Sequence, residues 1–457
     1  MKRLFLPVLL LAVMVVSCKG PQTAPKLVFN EVMANNAGAF LDQEEEADDW
    51  VEIYNAGDSS VNLAGMYITD DPKKPKKYQF PTDAGEETKV PGGGFKVLWL
   101  DKQPEQGPLH VDFRLKTKGE TLALYTSEGV FIDSIATGKQ YTGFSFGRTP
   151  TGAENWSYQL GPTPGKTNAG ATASERSSKV TASLPDGKYN GPQNLTLTAP
   201  EGAKIIFTLD GSFPREGHEK SISYGGPIPI PRSMVVRTRA IEPGKLPGPV
   251  KNLAYLLDEP TKLPVLSIIV DPQDLHPENT GLHHEDNFET RAVKRAHATY
   301  FNEQGEIAFD QGMGIKLQGR YARRFAKKSW TLLAGEKWGG KKRIRYRVFP
   351  NLTIESFDGL VIRADANYAW SNRTERAHAG ERIKNELMFM ANEQMRQHGS
   401  NVLMQSYQPA VVYLNGEYWG LYNIMERKNK KLIHSHYGTK DIEMMNPGVK
   451  RDDVWHF

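Results

Sequence analysis

The pattern of apolar and polar positions over the first third of the chain is typical of short β-strands. Between residues 27 and 170, apolar, β-branched and aromatic residues occur in short runs that are separated by Gly, Pro, Asn and Asp. Such runs predict strands joined by turns. The predicted strands are residues 27–33, 50–54, 95–100, 121–125 and 130–135. We therefore expect a β-sandwich over residues 27–170.

A second β-rich segment follows a polar linker. Residues 171–179 are rich in Ala and Ser, which is typical of a flexible linker. Alternation of apolar residues resumes near Val180, and the segment extends to residue 258. Asp210-Gly211 within it is a dipeptide typical of a tight turn between strands, so we expect Asp210 to be a turn residue. The segment predicts a small, separate β-sandwich over residues 180–258.

From residue 262 onward, predicted strands alternate with one clear helix, which indicates an α+β domain over residues 262–457. Apolar residues recur at helical spacing between Thr374 and Gln397, and Gly399 is placed to end the helix. We expect the methionines of this helix to be core residues. The whole chain is therefore predicted to be mainly β and to contain several domains.

A basic β-hairpin is predicted in this third region. Residues 312–320 read as a strand that enters a glycine turn, and residues 323–330 lead into the next strand. The cations at this turn repel one another, so an anionic partner such as a nucleotide phosphate would offset their charge. Lysine and arginine also protect exposed edge strands against aggregation. These residues alone leave both interpretations open.

The first residues predict export of the chain. Lys2 and Arg3 precede an apolar run at residues 4–16, which is long enough for the core of a signal peptide and short for a membrane-spanning helix. The run ends in Val15-Val16-Ser17-Cys18, which resembles the bacterial lipobox, where the cysteine carries the lipid.

The lipobox resemblance implies a signal peptide at residues 1–17, lipidation of Cys18 and a flexible spacer at residues 18–26. The membrane would be the first partner, and we expect a cell-envelope protein held outside the cytoplasm, at the outer membrane or cell surface. Cys18 is the only cysteine, so its modification would leave no thiol for disulfides, catalysis or metal binding.

Charge and histidine content give two expectations, one about nucleic acid and one about metal ions. The formal net charge is only +4, and the basic residues are spread among acidic ones, so we expect no nucleic-acid partner. Several histidines lack a supporting third ligand in the sequence, and we expect no metal site at them. These histidines are His283, His284, His378, His398, His434 and His436.

The first domain resembles the lamin-tail domain, an immunoglobulin-like β-sandwich. The motifs that carry this resemblance are Asn30-Glu31-Val32, Asp49-Trp50-Val51-Glu52-Ile53-Tyr54-Asn55, Leu63-Ala64-Gly65, Ser145-Phe146-Gly147-Arg148 and Thr163-Pro164-Gly165 before Asn168. Glu31, Asp49 and Glu52 could form a cation site or a carboxylate pair. On alternating strands such residues more often hold turns and face solvent, and we expect that here.

The second domain resembles the C-terminal Ig-like module of chitobiase and related hexosaminidases. The resemblance is carried by Leu184-Pro185-Asp186-Gly187-Lys188-Tyr189, Ile205-Ile206-Phe207-Thr208-Leu209-Asp210-Gly211-Ser212 with Pro214, Pro227-Ile228 and residues 235–240. In that family the module accompanies glycosidases and does not itself hydrolyse glycans. No carboxylate pair with glycosidase spacing is evident in this segment.

The third domain resembles the spore-coat protein H (CotH) kinase family. The resemblance is carried by residues 314–330, Leu360-Val361-Ile362-Arg363, Pro409-Ala410-Val411-Val412-Tyr413-Leu414-Asn415-Gly416-Glu417-Tyr418-Trp419-Gly420-Leu421-Tyr422-Asn423 and Glu426-Arg427. It implies an atypical kinase-like fold that transfers phosphate from ATP to protein, with ATP and Mg²⁺ as cofactors and metal ions held by aspartates.

The CotH resemblance also implies candidate site residues. It places Lys316, Arg320 and Lys327 or Lys328 near the phosphates, with Glu426 orienting a lysine. Glu426-Arg427 could equally be an ordinary surface ion pair. Family members continue well past Tyr437-Gly438, and their metal-binding aspartates lie in that later part, so we expect the kinase-like domain to be C-terminally incomplete. The sequence assigns neither catalytic residues nor metal ligands.

Three functions follow as hypotheses. The first is an envelope-anchored surface lipoprotein whose CotH-like domain binds nucleotide and, as an atypical protein kinase, transfers phosphate. The second is a non-enzymatic adhesion or scaffold protein that binds glycan or protein through its Ig-like domains. The third, glycan hydrolysis or recognition, rests only on the chitobiase-like module. The sequence leaves the choice, and whether the chain is an enzyme, open.

Overall fold

The computed structural model of the chain describes residues 24–36, 39–44, 46–277, 280–319, 323, 327–364, 384–400 and 402–439. The predicted signal peptide, Cys18, Arg320 and the first part of the predicted helix lie outside these residues. The chain divides into two compact units, Met1–Ala171 and Thr172–Phe457. Across the described ranges, no helix is both long and apolar enough to cross a membrane.

The first unit is a two-sheet β-sandwich. All five strands predicted from the sequence form, and their ends agree to within one residue. One sheet has the strand order β11-β10-β1-β2-β7 and the other β5-β4-β8-β9, while β3 pairs with β6. Apolar side chains from both sheets form one core between them. The strands are β1 Leu27–Met33, β2 Trp50–Asn55, β3 Val61–Asn62, β4 Tyr67–Thr69, β5 Tyr78–Gln79, β6 Lys89–Val90, β7 Phe95–Trp99, β8 Thr121–Tyr125, β9 Phe131–Ala136, β10 Ser145–Arg148 and β11 Trp156–Gln159, with a 3₁₀ turn at Pro104–Gln106.

The second unit begins with a small β-module. Its main sheet has the order β14-β21-β20-β17-β18, and two short ladders, β13-β16 and β15-β19, accompany it. Asp210 accepts hydrogen bonds from the Ser212 amide at 2.9 Å and the Ser212 hydroxyl at 2.8 Å, so it holds the turn after β17. The short strand β12 Thr172–Ala173 precedes the module. The strands of the module are β13 Thr181–Ala182, β14 Gly187–Tyr189, β15 Gln193–Leu195, β16 Leu197–Thr198, β17 Lys204–Thr208, β18 Ile222–Ser223, β19 Ile228–Ile230, β20 Met234–Ile241 and β21 Lys251–Leu257.

The remainder of the second unit is built on a closed barrel with the strand order β22-β23-β24-β25-β28-β30-β29. The parallel pairing of β22 with β29 closes the ring, and the other neighbours are antiparallel. The predicted basic hairpin is formed by β24 and β25. The strands are β22 Val265–Val270, β23 Lys294–Phe301, β24 Ile307–Leu317, β25 Trp330–Ala334, β26 Ile344–Arg345, β27 Ser356–Phe357, β28 Gly359–Arg363, β29 Tyr407–Leu414 and β30 Glu417–Glu426, with helices α1 Pro272–Leu275, α2 Lys384–Gln397 and α3 Lys430–Tyr437 and 3₁₀ turns at Glu285–Asn287 and Glu336–Trp338.

The hairpin turn between β29 and β30 joins the barrel to the β-module. Asn415 and Gly416 both have positive φ angles, of 51° and 84°, as a two-residue hairpin turn requires. The Asn415 side chain accepts from the Val270 amide and donates to the Val270 carbonyl, both at 2.9 Å. A Cβ on Gly416 would lie 2.5 Å from the Met234 Cα, so only glycine allows this turn to approach β20.

A shared hydrophobic cluster completes this junction, so the β-module packs against the barrel instead of standing apart from it. The cluster contains residues of the β-module, Val235, Ala254 and Leu256, and residues of the barrel, Val265, Ile269, Phe301, Val411 and Tyr413.

The expectation that the methionines of helix α2 are core residues is wrong. Met388, Met390 and Met395 are each more than half exposed. The face of the helix that packs carries Phe389, whose ring meets the Tyr407 ring edge-on at 4.9 Å. Asn392 on the same face is buried and donates to the Val402 carbonyl at 3.3 Å. Helical spacing identified the helix correctly, but several faces carry apolar residues, and spacing alone does not distinguish among them.

The carboxylates of the lamin-tail motifs hold turns, as expected, but two of them are fully buried and do not face solvent. Glu31 and Glu52 are directly opposite one another on β1 and β2. Glu31 accepts from the Thr163 amide at 3.0 Å and the Thr163 hydroxyl at 2.8 Å. Glu52 accepts from the Gly165 amide at 2.5 Å. The two side chains therefore fasten the Thr163-Pro164-Gly165 segment over the sheet.

Burial governs the protonation of these groups. Desolvation raises the pKa of Glu52 to about 7, and the neighbouring charge of Glu31 adds to this shift. Desolvation likewise raises the pKa of Glu31, although its hydrogen-bond donors oppose the shift. Asp49, which accepts from the Asn35 amide at 2.8 Å, has its pKa raised by burial to about 6. The first unit therefore holds acidic protons that the unfolded chain would release.

We expect the first unit to lose stability as the pH rises from about 4.5 to about 7. The unfolded chain releases the Glu52 proton near its ordinary pKa of 4.5, whereas the folded chain retains it until about pH 7. The folded state thus binds more protons in this window, and its free energy of unfolding falls by on the order of 2–3 kcal/mol.

Urea unfolding, together with hydrogen exchange of the β1 amides, measures this loss of stability. Glu52→Gln should flatten the dependence, whereas Glu105→Gln, at an exposed position, should leave it unchanged; equal slopes in all three proteins would contradict the assignment.

Candidate functional site

Lys316 lies on the outer face of the barrel wall. Its neighbours Ile315 and Leu317 on β24 point into the barrel core, and alternation along the strand directs Lys316 to the opposite face. The side chain is half-buried, and it makes no hydrogen bond or ion pair within the described part of the chain. Burial lowers the pKa of Lys316, and the charges of Arg427, Arg323 and Arg291 lower it further.

Four positively charged residues form a group that we call the basic cluster: Lys316, Arg291, Arg323 and Arg427. Arg323 donates from Nη1 to the Thr290 carbonyl at 3.2 Å, while its Nε is buried and has no acceptor among the described residues. Burial and the charge of Arg291 lower the pKa of Arg323. Two members of the cluster are therefore destabilised in their charged forms. An anion with several oxygens would stabilise both.

Arg427 is partly neutralised by one carboxylate. Its guanidinium forms an ion pair with Asp358 at 3.1 Å. Asp358 also accepts from the Asn429 side chain at 3.0 Å and pairs with Lys431 at 3.4 Å. The sequence interpretation of Glu426-Arg427 as an ion pair is therefore wrong, because Arg427 pairs with Asp358 instead. The net charge of the cluster stays positive.

Lys327 and Lys328 are close to this region but are engaged with the backbone. Lys327 donates to the Leu421 carbonyl at 3.0 Å and lies over the Tyr422 ring at 4.5 Å. Lys328 is almost completely buried, and its ammonium donates to the Arg323 carbonyl at 2.6 Å. Both lysines thus fasten the connection between β24 and β25. Lys316 is better placed than either to meet a ligand. Arg320 lies outside the described residues.

Glu426 is buried at the end of β30, and its carboxylate meets a histidine rather than a lysine. It accepts from the Ser406 amide at 2.9 Å and contacts the His436 Nε2 at 2.8 Å. His436 lies on α3, which begins after the capping Asn429 and ends at Gly438 in the left-handed conformation. The expectation that Glu426 orients a lysine therefore requires correction. The sequence analysis did not predict this pair. The capping residues Asn429 and Gly438 could have identified helix α3, which carries His436.

Other histidines considered as metal ligands are placed separately. His283 packs edge-on against the Trp419 ring at 5.2 Å, and burial together with the charges of Lys328 and His276 lowers the pKa of His283 to about 4. His434 is exposed and lies 3.2 Å from the Thr439 carbonyl. Over the described ranges, the groupings of side chains that could hold a metal ion all lie in the first unit. Among the described barrel residues, no such grouping of possible ligands for Mg²⁺ is found.

Comparison with protein families finds three matches in the order that the motifs predicted. The Lamin Tail Domain matches residues 21–139, the Chitobiase/beta-hexosaminidase C-terminal domain matches residues 184–252, and the CotH kinase protein family matches residues 315–455. The mainly β, multi-domain fold agrees with these matches. The chain therefore carries a lamin-tail domain, a chitobiase-like module and a CotH-like domain.

Comparison with curated proteins finds no match for this chain. Among solved structures, one described as "Biofilm associated protein - BSP domain" is 10% identical in sequence and has a TM-score of 0.14. The match covers 68% of this chain and spans 64% of that structure's length. A TM-score this low carries no argument about fold or function.

We expect His436→Ala to destabilise the second unit by about 1–3 kcal/mol, because Glu426 would retain a buried carboxylate oxygen without its partner. His434→Ala is the matched control on the same helix, and its exposed side chain should contribute within about 0.5 kcal/mol. Urea unfolding of the full chain measures both effects. If the two variants lose equal stability, the Glu426–His436 contact has no special role.

Proposed function

We propose that this chain is a modular protein of the cell envelope, anchored by lipid on Cys18, whose CotH-like domain binds the phosphates of ATP. The basic cluster is the observation that carries the nucleotide part of this proposal. The lipobox-like residues before Cys18 support the anchor and the location outside the cytoplasm.

The physical argument for a phosphate ligand is electrostatic. The charges of three arginines lower the pKa of Lys316, and the ion pair between Arg427 and Asp358 balances part of the charge of the cluster. In addition, the buried Nε of Arg323 lacks an acceptor within the described residues. A phosphate group supplies both negative charge and hydrogen-bond acceptors, and hydrogen bonds to charged partners are the stronger kind.

The CotH match supports phosphate transfer to a protein acceptor as the reaction of this domain. Mg²⁺ bound to the nucleotide would neutralise the charge that develops during transfer. Within this proposal, Lys316 and Arg323 bind and orient the phosphates, and Arg427 is held in position by Asp358. No transfer step is assigned to a described residue, because the described barrel contains no grouping suited to the metal.

A second candidate function is adhesion or scaffolding without catalysis. The lamin-tail domain and the chitobiase-like module favour it, because both accompany the CotH-like domain in one chain. Their partner would be a glycan or a protein at the cell surface. This candidate requires no nucleotide, so a nucleotide-binding measurement distinguishes the two.

Calorimetric titration of the mature chain with Mg²⁺ and ATP should detect saturable binding. Lys316→Ala should weaken it by about 10- to 100-fold, because it removes one charged hydrogen bond to phosphate. Lys342→Ala removes the same charge from a side chain that is 78% exposed, and it should leave the affinity unchanged. The affinity should also fall as the pH rises. Because the pKa of Lys316 is lowered, this fall should begin at a lower pH than the deprotonation of an ordinary lysine, whose pKa is about 10.4. A folded chain that binds no nucleotide, or two lysine variants with equal losses, would leave the adhesive scaffold as the better account.

The anchor is tested separately by expressing the full chain in a bacterial host. The wild-type protein should sediment with membranes and carry a lipid mass on its N-terminal peptide, because the cysteine after the lipobox is the attachment point. Cys18→Ser should appear in the soluble fraction, whereas Ser17→Ala, which keeps a small residue before the cysteine, should behave as wild type. Membrane association that persists in Cys18→Ser would rule out this anchor.

A further inference from the structure

We propose that the first unit contains a divalent-cation site with oxygen ligands, suited to Ca²⁺, formed by Asp42, Glu46, Asp48 and Asp101. The first three residues lie on the connection between β1 and β2, and Asp101 follows β7. This site is independent of the nucleotide site proposed above, because it belongs to the other compact unit.

The carboxylates form two groups that share Asp42. Ligand atoms of Asp42, Glu46 and Asp48 lie within 4.8 Å of one another, and so do those of Asp42, Asp101 and His110. Calcium binds oxygens at about 2.3–2.6 Å, so two ligands on opposite sides of the ion are at most about 5 Å apart. Asp42 belongs to both groups and is therefore the central ligand.

Asp42 provides a second and independent observation. Its residue exposure is only 9%, and its Oδ1 accepts from the amides of Glu44 at 2.9 Å and Glu46 at 2.7 Å. Its Oδ2 is also buried, yet it has no hydrogen-bond donor in the described part of the chain. A buried carboxylate oxygen without a partner is costly. A bound cation would supply that partner.

A second buried oxygen close to the site is similarly unmatched. Gln106 donates from Nε2 to Glu46 at 3.2 Å, and its Oε1 is buried and without a donor among the described residues. Gln103 also donates to the same Glu46 oxygen, at 2.8 Å. The two amides orient Glu46, and the Gln106 oxygen is available as a neutral ligand.

The role of His110 decides the class of ion. Its Nδ1 lies 2.5 Å from Asp101, and its Nε2 lies 2.9 Å from the Gln43 amide nitrogen. Both ring nitrogens are therefore engaged, and His110 orients Asp101 instead of binding the ion. The ligands that remain are oxygens, which Ca²⁺ and Mg²⁺ prefer and Zn²⁺ does not require. Irregular loops fit the flexible coordination of Ca²⁺ better than the strict octahedron of Mg²⁺.

The ion can reach this site from solvent. Glu46 is exposed and Asp48 is half-buried, whereas Asp42 and Asp101 are buried. The site is thus open on one side and lined by buried carboxylates on the other. Calcium sites of extracellular modules typically have dissociation constants on the order of 10⁻⁴–10⁻³ M, and we expect that range here.

The experiment uses the full mature chain after removal of bound ions with EDTA. Tb³⁺ replaces Ca²⁺ as a luminescent probe, and Trp99, which stacks on His110 at a centroid distance of 6.4 Å, should sensitise it. Added Ca²⁺ should displace Tb³⁺ and raise the melting temperature of the chain. Asp42→Asn should weaken Ca²⁺ binding at least tenfold, while its ion-free melting temperature should equal or exceed that of the wild type, because the unmatched charge is gone.

Glu44→Gln is the matched control, because Glu44 lies in the same loop and belongs to neither group. It should bind Ca²⁺ like the wild type. A folded chain that binds none of Ca²⁺, Mg²⁺ or Zn²⁺ would overturn the proposal, as would Ca²⁺ binding that is equal in Asp42→Asn. Zn²⁺ binding that is tighter than Ca²⁺ binding and is lost in His110→Ala would overturn the oxygen-ligand assignment.

Discussion

The parallel pairing of β22 with β29 is the interaction on which the second unit depends. It joins residues about 145 positions apart, such as Val265 and Val411, and it converts an antiparallel sheet into a closed ring. Asn415 extends this pairing by bonding to both backbone groups of Val270. Closure removes the sheet edges that would otherwise be unpaired. It also sets β29 and β30 in the position from which their turn contacts the β-module.

The closed barrel determines where charge can accumulate. Its interior is apolar, so strand alternation directs Lys316 outward, where segments that are distant in sequence contribute Arg291, Arg323 and Arg427. Repulsion within this cluster costs free energy, and the phosphate ligand that we propose would offset it. Lys327 and Lys328 serve a different purpose, because they fasten the intervening connection to the barrel.

The buried carboxylates of the first unit lie in two contrasting environments. Glu31 and Glu52 are buried among hydrogen-bond donors from a covering segment, and desolvation raises the pKa of each. Asp42, in contrast, lies beside further acidic groups and retains a buried oxygen that has no donor in the described part of the chain. The first arrangement is satisfied by the protein itself and is structural. In the site that we propose, an ion satisfies the second arrangement, so the two groups of acids have different expected roles.

The sequence by itself determined the class of the fold, the order of the three domains and five of the eleven strands of the first unit. These follow from local alternation, turn residues and motifs, and a residue such as Asp210 in its turn is fixed by its immediate neighbours. Only the tertiary structure decided that Glu426 meets His436, that Arg427 pairs with Asp358, that the methionines of α2 are exposed and that Asp42 and Asp101 converge. Each of these depends on which segments the barrel or the sandwich brings together. Spacing along the chain contains no information about such long-range contacts, because they are set by strand pairing and packing.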